Sequence, residues 1–277
     1  MTRPWRLLRE THPGPAEQMA LDEALLTHGS DDPEAVAVRL YTWRPAGFSY
    51  GFFQKLEQVP EANDPRLPAD VVRVRRLTGG GAIVHGPGEL TFSIAASAEH
   101  PLYRGGIEGS YERVHGALGA ALAELGLQSE RRGARELASE QPDSGLCFHV
   151  SAAVDLVWPR ADGQWAKGVG SAQRRSGGRV LHHGSIKCAV EPSEPGTASL
   201  ADAGVHLTPD ELAEELKRRW PAHLGCRFER GDPTDVELAH RERRAPLFSS
   251  EALLRRDPEA IRSIRAPRAS GAGPGSA

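Results

Sequence analysis

Three consecutive glycines, Gly79, Gly80 and Gly81, stand between two segments of strand character. Before them, VVRVRR (71–76) sets Val72 and Val74 against Arg73 and Arg75. After them, ELTFSIAA (89–96) reads as a further strand. Glycine loses the most freedom on folding and brings no side chain to a core, so three in a row do not serve packing. They bare backbone N–H groups and let a ligand or another strand come close. No Gly-Lys-Ser/Thr follows and the GxGxxG spacing is absent, so neither familiar phosphate loop is present. Taken alone, the run fits equally well a glycine-rich hairpin turn flanked by solvated arginines.

Around this feature the pattern alternates between helix and strand. AEQMALDEALLT (16–27) has an apolar side made of Met19, Leu21, Leu25 and Leu26 and predicts a helix. VAVRLYTW (36–43) predicts a strand. Ser110 is expected to cap a helix carrying Tyr111, Val114, Leu118, Ala121, Leu122 and Leu125, closed by Gly126. Residues 127–145 read as a mobile loop. Strands are expected at 153–158, 165–172 and 180–190, with Gly177-Gly178 turning a hairpin between the last two. Thr208-Pro209-Asp210-Glu211 is a capping box, with Leu212, Leu216 and Trp220 as the buried stripe of the helix behind it. The expected class is α+β, with a mixed, mainly antiparallel sheet. The expected division is a catalytic domain over 1–240 and an Arg-rich extension over 241–277 ending in a flexible tail.

The 277 residues carry 34 basic and 37 acidic side chains, 39% hydrophobic residues and no apolar run of 18, which excludes a membrane-spanning or disordered chain. The balance gives no global field for nucleic acid. Three cysteines form no disulfide framework and suit a reducing cytoplasm; the first 25 residues hold four acids and no signal-peptide pattern. Only four of the 34 bases are lysines: Lys55, Lys167, Lys187 and Lys217. In a chain that mostly uses arginine, which stays charged, each retained lysine raises a question.

Two more segments can carry chemistry. In KGVGSAQRRSGGRVLHHGSI (167–186), Lys167 precedes Gly170, Ser171 and Ala172, whose small size admits a substrate. A lysine among Val and Ala is a candidate for a desolvated ammonium that steadies a thiolate or an oxyanion; the bland alternative is a surface lysine. His182 and His183 are adjacent, so on a strand they face opposite ways, and zinc is rejected. Cys147 in PDSGLCFHV has the loop placement of a reactive thiol, although its Leu-Cys-Phe setting favours burial. Cys188 and Cys226 read as packing, and Asp155 stands as a lone carboxylate nearby.

Jointly, MALDEALL (19–26), RLYTWRPAGFSYGFFQ (39–54), RRLTGGGAIVHGPGELTFS (75–93), CFH (147–149) and residues 167–186 resemble the lipoate–protein ligase A/octanoyltransferase family, related in fold to biotin–protein ligases. The resemblance covers about residues 5–225. Ligases of this family adenylate lipoate with ATP, whereas its cysteine-dependent transferases pass an already activated acyl group through a thioester, assisted by the lysine before Gly-Ser-Ala. Cys147-Phe148 and Glu89-Leu90-Thr91 follow the transferase pattern. Three positions depart from it: Gly86 where an acid is common, Trp165-Ala166 before Lys167, and His182 where Gln is usual.

The resemblance therefore implies an octanoyltransferase with Cys147 and Lys167 as catalytic residues. It implies that Arg76, Thr78, Gly79, Gly80, Gly81, His85, Gly170, Ser171, Ala172, His183 and Gly184 bind substrate, and that neither cofactor nor metal is needed. Octanoyl-acyl-carrier protein is the implied donor. The implied acceptor is a lipoyl domain, such as a glycine-cleavage H protein or a 2-oxoacid dehydrogenase E2. A cytoplasmic monomer is expected. In the expected mechanism Lys167 steadies the thiolate and, when transiently neutral, takes the proton of the acceptor amine, while Arg73, Arg75 and Arg76 meet phosphate or acidic carrier faces. An ATP-dependent lipoate ligase and a transferase between lipoyl domains are the alternatives.

Overall fold

The structure is a computed structural model that describes residues 3–9, 11–30, 32–59, 63–137 and 139–265. The expected tail after residue 265 lies outside the described residues. Eight strands form one sheet in the order β11-β1-β2-β6-β10-β9-β8-β7. They are β1 (Trp5–Leu8), β2 (Val36–Tyr41), β6 (Glu89–Ser97), β7 (Glu130–Arg131), β8 (Leu156–Pro159), β9 (Trp165–Ser176), β10 (Arg179–Lys187) and β11 (Phe228–Gly231). β1 runs parallel to β2 and β11, and the other neighbours are antiparallel. The sheet is therefore mixed and mainly antiparallel, as expected. Three short strands, β3 (Gly47–Tyr50), β4 (Val72–Arg75) and β5 (Ile83–His85), form a second sheet in the order β4-β3-β5.

Both faces of the large sheet are covered, which is why β2 is buried along its whole length. Val36, Val38 and Leu40 pack with the α2 (Ile107–Ala123) and α3 (Pro209–Leu224) side chains Val114, Leu118, Leu212 and Trp220. Ala37 and Tyr41 on the opposite face pack with Met19 and Leu25 of α1 (Pro15–Thr27). α1 joins β1 to β2, one βαβ unit in a chain whose sequence shows no βαβ regularity. Thr208 caps α3 and exchanges its bonds with Glu211, as the capping box predicts. Gly177 and Gly178 both have positive φ and turn β9 into β10. No described helix is long and apolar enough to cross a membrane.

Two expectations are corrected here. α2 starts one turn before Ser110: Gly106 is the N-cap, and Ser110 Oγ donates back to Ile107 O at 2.5 Å. The boundary expected at residue 240 falls inside α4 (Asp235–Phe248). α4, α5 (Glu251–Leu254) and α6 (Pro258–Arg265) share a core with α1, through Ala245, Phe248, Leu253, Ala260, Ile261 and Ile264. Residues beyond 240 thus complete the α1 layer. Arg75 adds a polar tie: fully buried, it donates to Leu253 O (2.8 Å), Leu254 O, Gly51 O (2.6 Å) and Gln54 O (2.8 Å). Burial pulls this guanidinium down to about 10. It is spent internally and does not meet a phosphate. Arg75→Met leaves these carbonyls without their charged donor, and we expect a loss of about 3 kcal/mol, read as a lower urea midpoint at unchanged m.

Candidate active site

The glycine run curves under a short helical turn at Cys147–His149. Cys147 N donates to Ala82 O at 2.7 Å, and Ala82 N donates to Gly145 O at 2.9 Å. A Cβ at Gly81 would lie 2.6 Å from Cys147 N and 2.8 Å from Cys147 Cα, so only glycine lets these two backbones meet. This is the close approach that the sequence pointed to, with another segment of the same chain as the partner.

Lys167 on β9 is buried beneath the same turn. Its Nζ donates to Asp155 Oδ2 (2.8 Å), Cys147 O (2.9 Å) and Val150 O (3.1 Å), with Cys147 Sγ at 3.6 Å. Burial would lower its pKa, but the negative charges of Cys147 and Asp155 outweigh that and hold Lys167 above the ordinary lysine value. The ammonium stays charged with its three protons committed. These bonds favour a charged Lys167 over the expected transiently neutral amine. Gly170 makes room for it, since a Cβ there would lie 2.5 Å from Lys167 Cε. Cys147 is partly exposed, whereas Cys188 is buried and its thiol is pushed up to about 12.

A narrow, mainly apolar cleft opens beside Cys147. Arg76, Gly79, His85, Gly170, Ser171, Ala172, His183 and Gly184 line it, with Met19, Tyr41, Trp43, Ile83, Thr91 and Ser185. Strand register sets its long axis: Gly170, Ser185, Thr91 and Tyr41 are successive partners across β9, β10, β6 and β2. Two strand spacings, about 10 Å, separate Gly170 from Thr91, and a third reaches Tyr41. Trp43 stands at that far end, its Nε1 donating to Thr91 Oγ1 at 2.8 Å and its ring stacked on His85 at 3.8 Å.

The remaining expected residues act behind the wall. Thr78 Oγ1 lies 2.5 Å from His183 Nε2, and Gly80 and Gly81 are not part of the lining. Arg76 donates to Ser49 O and Oγ (2.9 and 2.6 Å) and to the carbonyls of Gly79 and Gly81 (3.1 and 2.7 Å), so it shapes the glycine turn and is not open to a carrier phosphate. Both ring nitrogens of His85 are engaged, by Ser49 Oγ and Glu89 Oε1, each at 2.6 Å. At Gly86 a Cβ would meet the carboxylate end of the Glu191 side chain, which would have to swing aside for any larger residue. Sequence reasoning missed Asp22. Buried on α1, it accepts from Arg39 (2.6 Å) and Ser93 (2.9 Å) and faces His183 at 3.3 Å. Burial raises its pKa, but Arg39 and His183 overcome this and hold it below the usual carboxylate range. An acid amid the apolar stretch MALDEALL and an arginine inside VAVRLY were the available signals.

Together, a thiol and a fixed ammonium 3.6 Å apart stand beside a cleft that runs across four strands. The fold has solved counterparts. A Thermoplasma acidophilum protein with bound lipoic acid superposes at TM-score 0.72, with 22% identity, over 91% of this chain and 99% of its own. The bi-partite lipoate protein ligase of the same organism, solved in a study of its lipoylation system with its E2 lipoyl domain, superposes at 0.69, with 20% identity, over 92% and 98%. Residues 14–209 match the family described as Lipoyl protein ligase A/B catalytic domain, and the chain belongs to that family. Octanoyltransferase LipM of Moorella thermoacetica is 39% identical over 182 residues, 66% of this chain and 64% of that relative, just under two thirds of its length. Octanoyltransferase LipM of Kyrpidia tusciae is 31% identical over 261 residues, 84% of this chain and 92% of that relative.

The geometry predicts that iodoacetamide modifies Cys147 well before Cys188. Lys167→Met should slow that modification at neutral pH by about tenfold, through loss of the neighbouring charge. An unchanged rate would remove the ammonium from the chemistry of the thiol.

Proposed function

We propose that this chain is an octanoyltransferase of protein lipoylation that works through a thioester on Cys147. The observation that carries the proposal is the buried Lys167 ammonium, 3.6 Å from Cys147 Sγ, at the rim of the long cleft. The LipM relatives support the choice of acyl group, and the lipoate-ligase fold supports a lipoyl-domain acceptor.

In the proposed reaction the Cys147 thiolate, steadied by Lys167, attacks the carbonyl of an octanoyl thioester carried on the phosphopantetheine arm of acyl-carrier protein. A C–S bond forms to Sγ, the bond to the carrier sulfur breaks, and the carrier leaves as a thiolate that takes from solvent the proton Cys147 gave up on ionising. One thioester replaces another, so no ATP is spent. The neutral ε-amine of a lipoyl-domain lysine then attacks the acyl-enzyme. The amide C–N bond forms as Sγ leaves, and the amine proton ends on the departing thiolate. Lys167, charged throughout, stabilises that thiolate as it forms. Asp155 keeps the ammonium in place and takes no proton itself.

Incubated with octanoyl-acyl-carrier protein, the protein should gain one octanoyl mass on Cys147, removable by hydroxylamine. Cys147→Ser should give neither a thioester nor octanoylated apo-lipoyl domain. Near-normal transfer by Cys147→Ser would end the thioester proposal, and lipoate-dependent pyrophosphate release would favour an ATP-dependent ligase. The far wall yields a further prediction. Trp43→Ala opens the end of the cleft opposite Cys147 and should move the preferred donor from eight carbons to ten or twelve, measured as relative kcat/KM across carrier-bound acyl chains.

A further inference from the structure

On the α2 side of the large sheet, the cleft-lining residue Ser171 holds its Oγ between two histidines. It lies 2.7 Å from His115 Nε2 of α2 and 2.8 Å from His182 Nε2 of β10. Both rings are fully buried. Burial pushes both below the ordinary imidazole range, His182 well below it, and outweighs the Val154 carbonyl and Asp155 charge that favour protonated His115. Each ring is neutral and carries one proton, and its neighbours decide on which nitrogen.

The assignment starts from an atom that can only accept. His115 Nδ1 lies 2.5 Å from Val154 O, so the His115 proton sits on Nδ1. His115 Nε2 is then bare and accepts from the Ser171 hydroxyl. That hydroxyl has a single proton, so its oxygen must accept from His182 Nε2–H. His182 Nδ1 is left bare, and Gln173 Nε2 donates to it at 3.3 Å. Gln173 Nε2 gives its second proton to Ser110 Oγ at 2.8 Å, while Gln173 Oε1 accepts from Arg175 at 3.3 Å. One carbonyl thus fixes every proton from Gln173 to Val154, and the chain of bonds has one direction.

This chain ends on two pieces of the site. Val154 precedes Asp155, which receives the Lys167 ammonium, and Ser171 follows Gly170, against which Lys167 and Cys147 pack. We propose that His115 and His182 are positioning residues for the Cys147–Lys167 pair, tying the Asp155 turn to the Gly170–Ala172 stretch of β9 through a single directed series of hydrogen bonds. Packing alone does not call for such a network. α2 already rests on the sheet through Val114, Leu118, Ala121 and Leu122, and polar groups inside such an interface stabilise only when every member is satisfied. The expected Gln at position 182 is absent, and histidine supplies a donor and an acceptor there in one rigid ring.

The role in catalysis rests on the thioester proposal, but the proton assignment and the reactivity of the thiol do not. Nitrogen-15 imidazole spectra of the full-length protein at neutral pH should show His115 protonated on Nδ1 and His182 on Nε2; the opposite tautomer at either ring overturns the chain. His182→Leu should slow iodoacetamide modification of Cys147 and lower kcat for octanoyl transfer by about tenfold, with KM for the carrier nearly unchanged. His182→Gln, which keeps a donor and an acceptor, should restore both to within about threefold of the parent. Equal losses in the Leu and Gln variants, or a thiol as reactive in His182→Leu as in the parent, overturn the positioning role. An active Cys147→Ser protein would sink the thioester reading alone and leave the tautomer and alkylation results standing.

Discussion

One ammonium, taken out of water, organises the centre of this molecule. A buried charge is costly unless it is paired and hydrogen-bonded. Lys167 meets that demand with Asp155 and with two carbonyls of the Cys147–Val150 turn. Each partner thereby becomes fixed. The turn cannot leave without stranding the charge, Gly81 must stay small to let the turn close, and Gly170 must stay small to let the lysine stem pass. The sheet supplies rigidity, and the charge decides which loop the sheet holds.

The choice of lysine in a chain built mostly with arginine follows from the same demand. Arginine presents a flat fork of donors, whereas an ammonium is a compact charge whose three protons point in different directions. Lys167 needs the second arrangement, and so does Lys187, which meets Glu89, Glu194 and the Val84 carbonyl at 2.8 Å each. Lys55 and Lys217 have no such task and sit at least partly exposed. Arginine appears where carbonyls or a carboxylate lie side by side: Arg75 over four backbone oxygens, Arg76 over the glycine turn, Arg39 on Asp22.

Much of this was legible in the sequence wherever the cause is local. The Thr208 capping box and the glycine hairpin at 177–178 depend on near neighbours, and both stand as read, whereas α1 forms where expected but is buried on all sides from Gln18 to Leu26 and not along one stripe. The glycine run showed that something comes close without showing what. The fates of Arg75 and Arg76 were not legible, because their partners are carbonyls of Leu253, Leu254 and the glycine turn, and a carbonyl leaves no mark on composition. Ser110 looked like a cap, but Gly106 lets the helix start a turn earlier, and the serine then serves its own backbone. Trp43 and Tyr41 read as strand residues, and only the pairing of four strands places them opposite Cys147.

The guanidinium of Arg75 carries a consequence for the order in which the protein comes into being. It emerges from the ribosome about 180 residues ahead of the two carbonyls that receive half of its bonds. Until Leu253 and Leu254 have been made, the strand leading into the glycine turn holds a charge with half its partners missing. The site is assembled from residues up to Ser185, yet its last fastening arrives with the closing helices, so a nascent chain holds every reacting group before it holds them firmly.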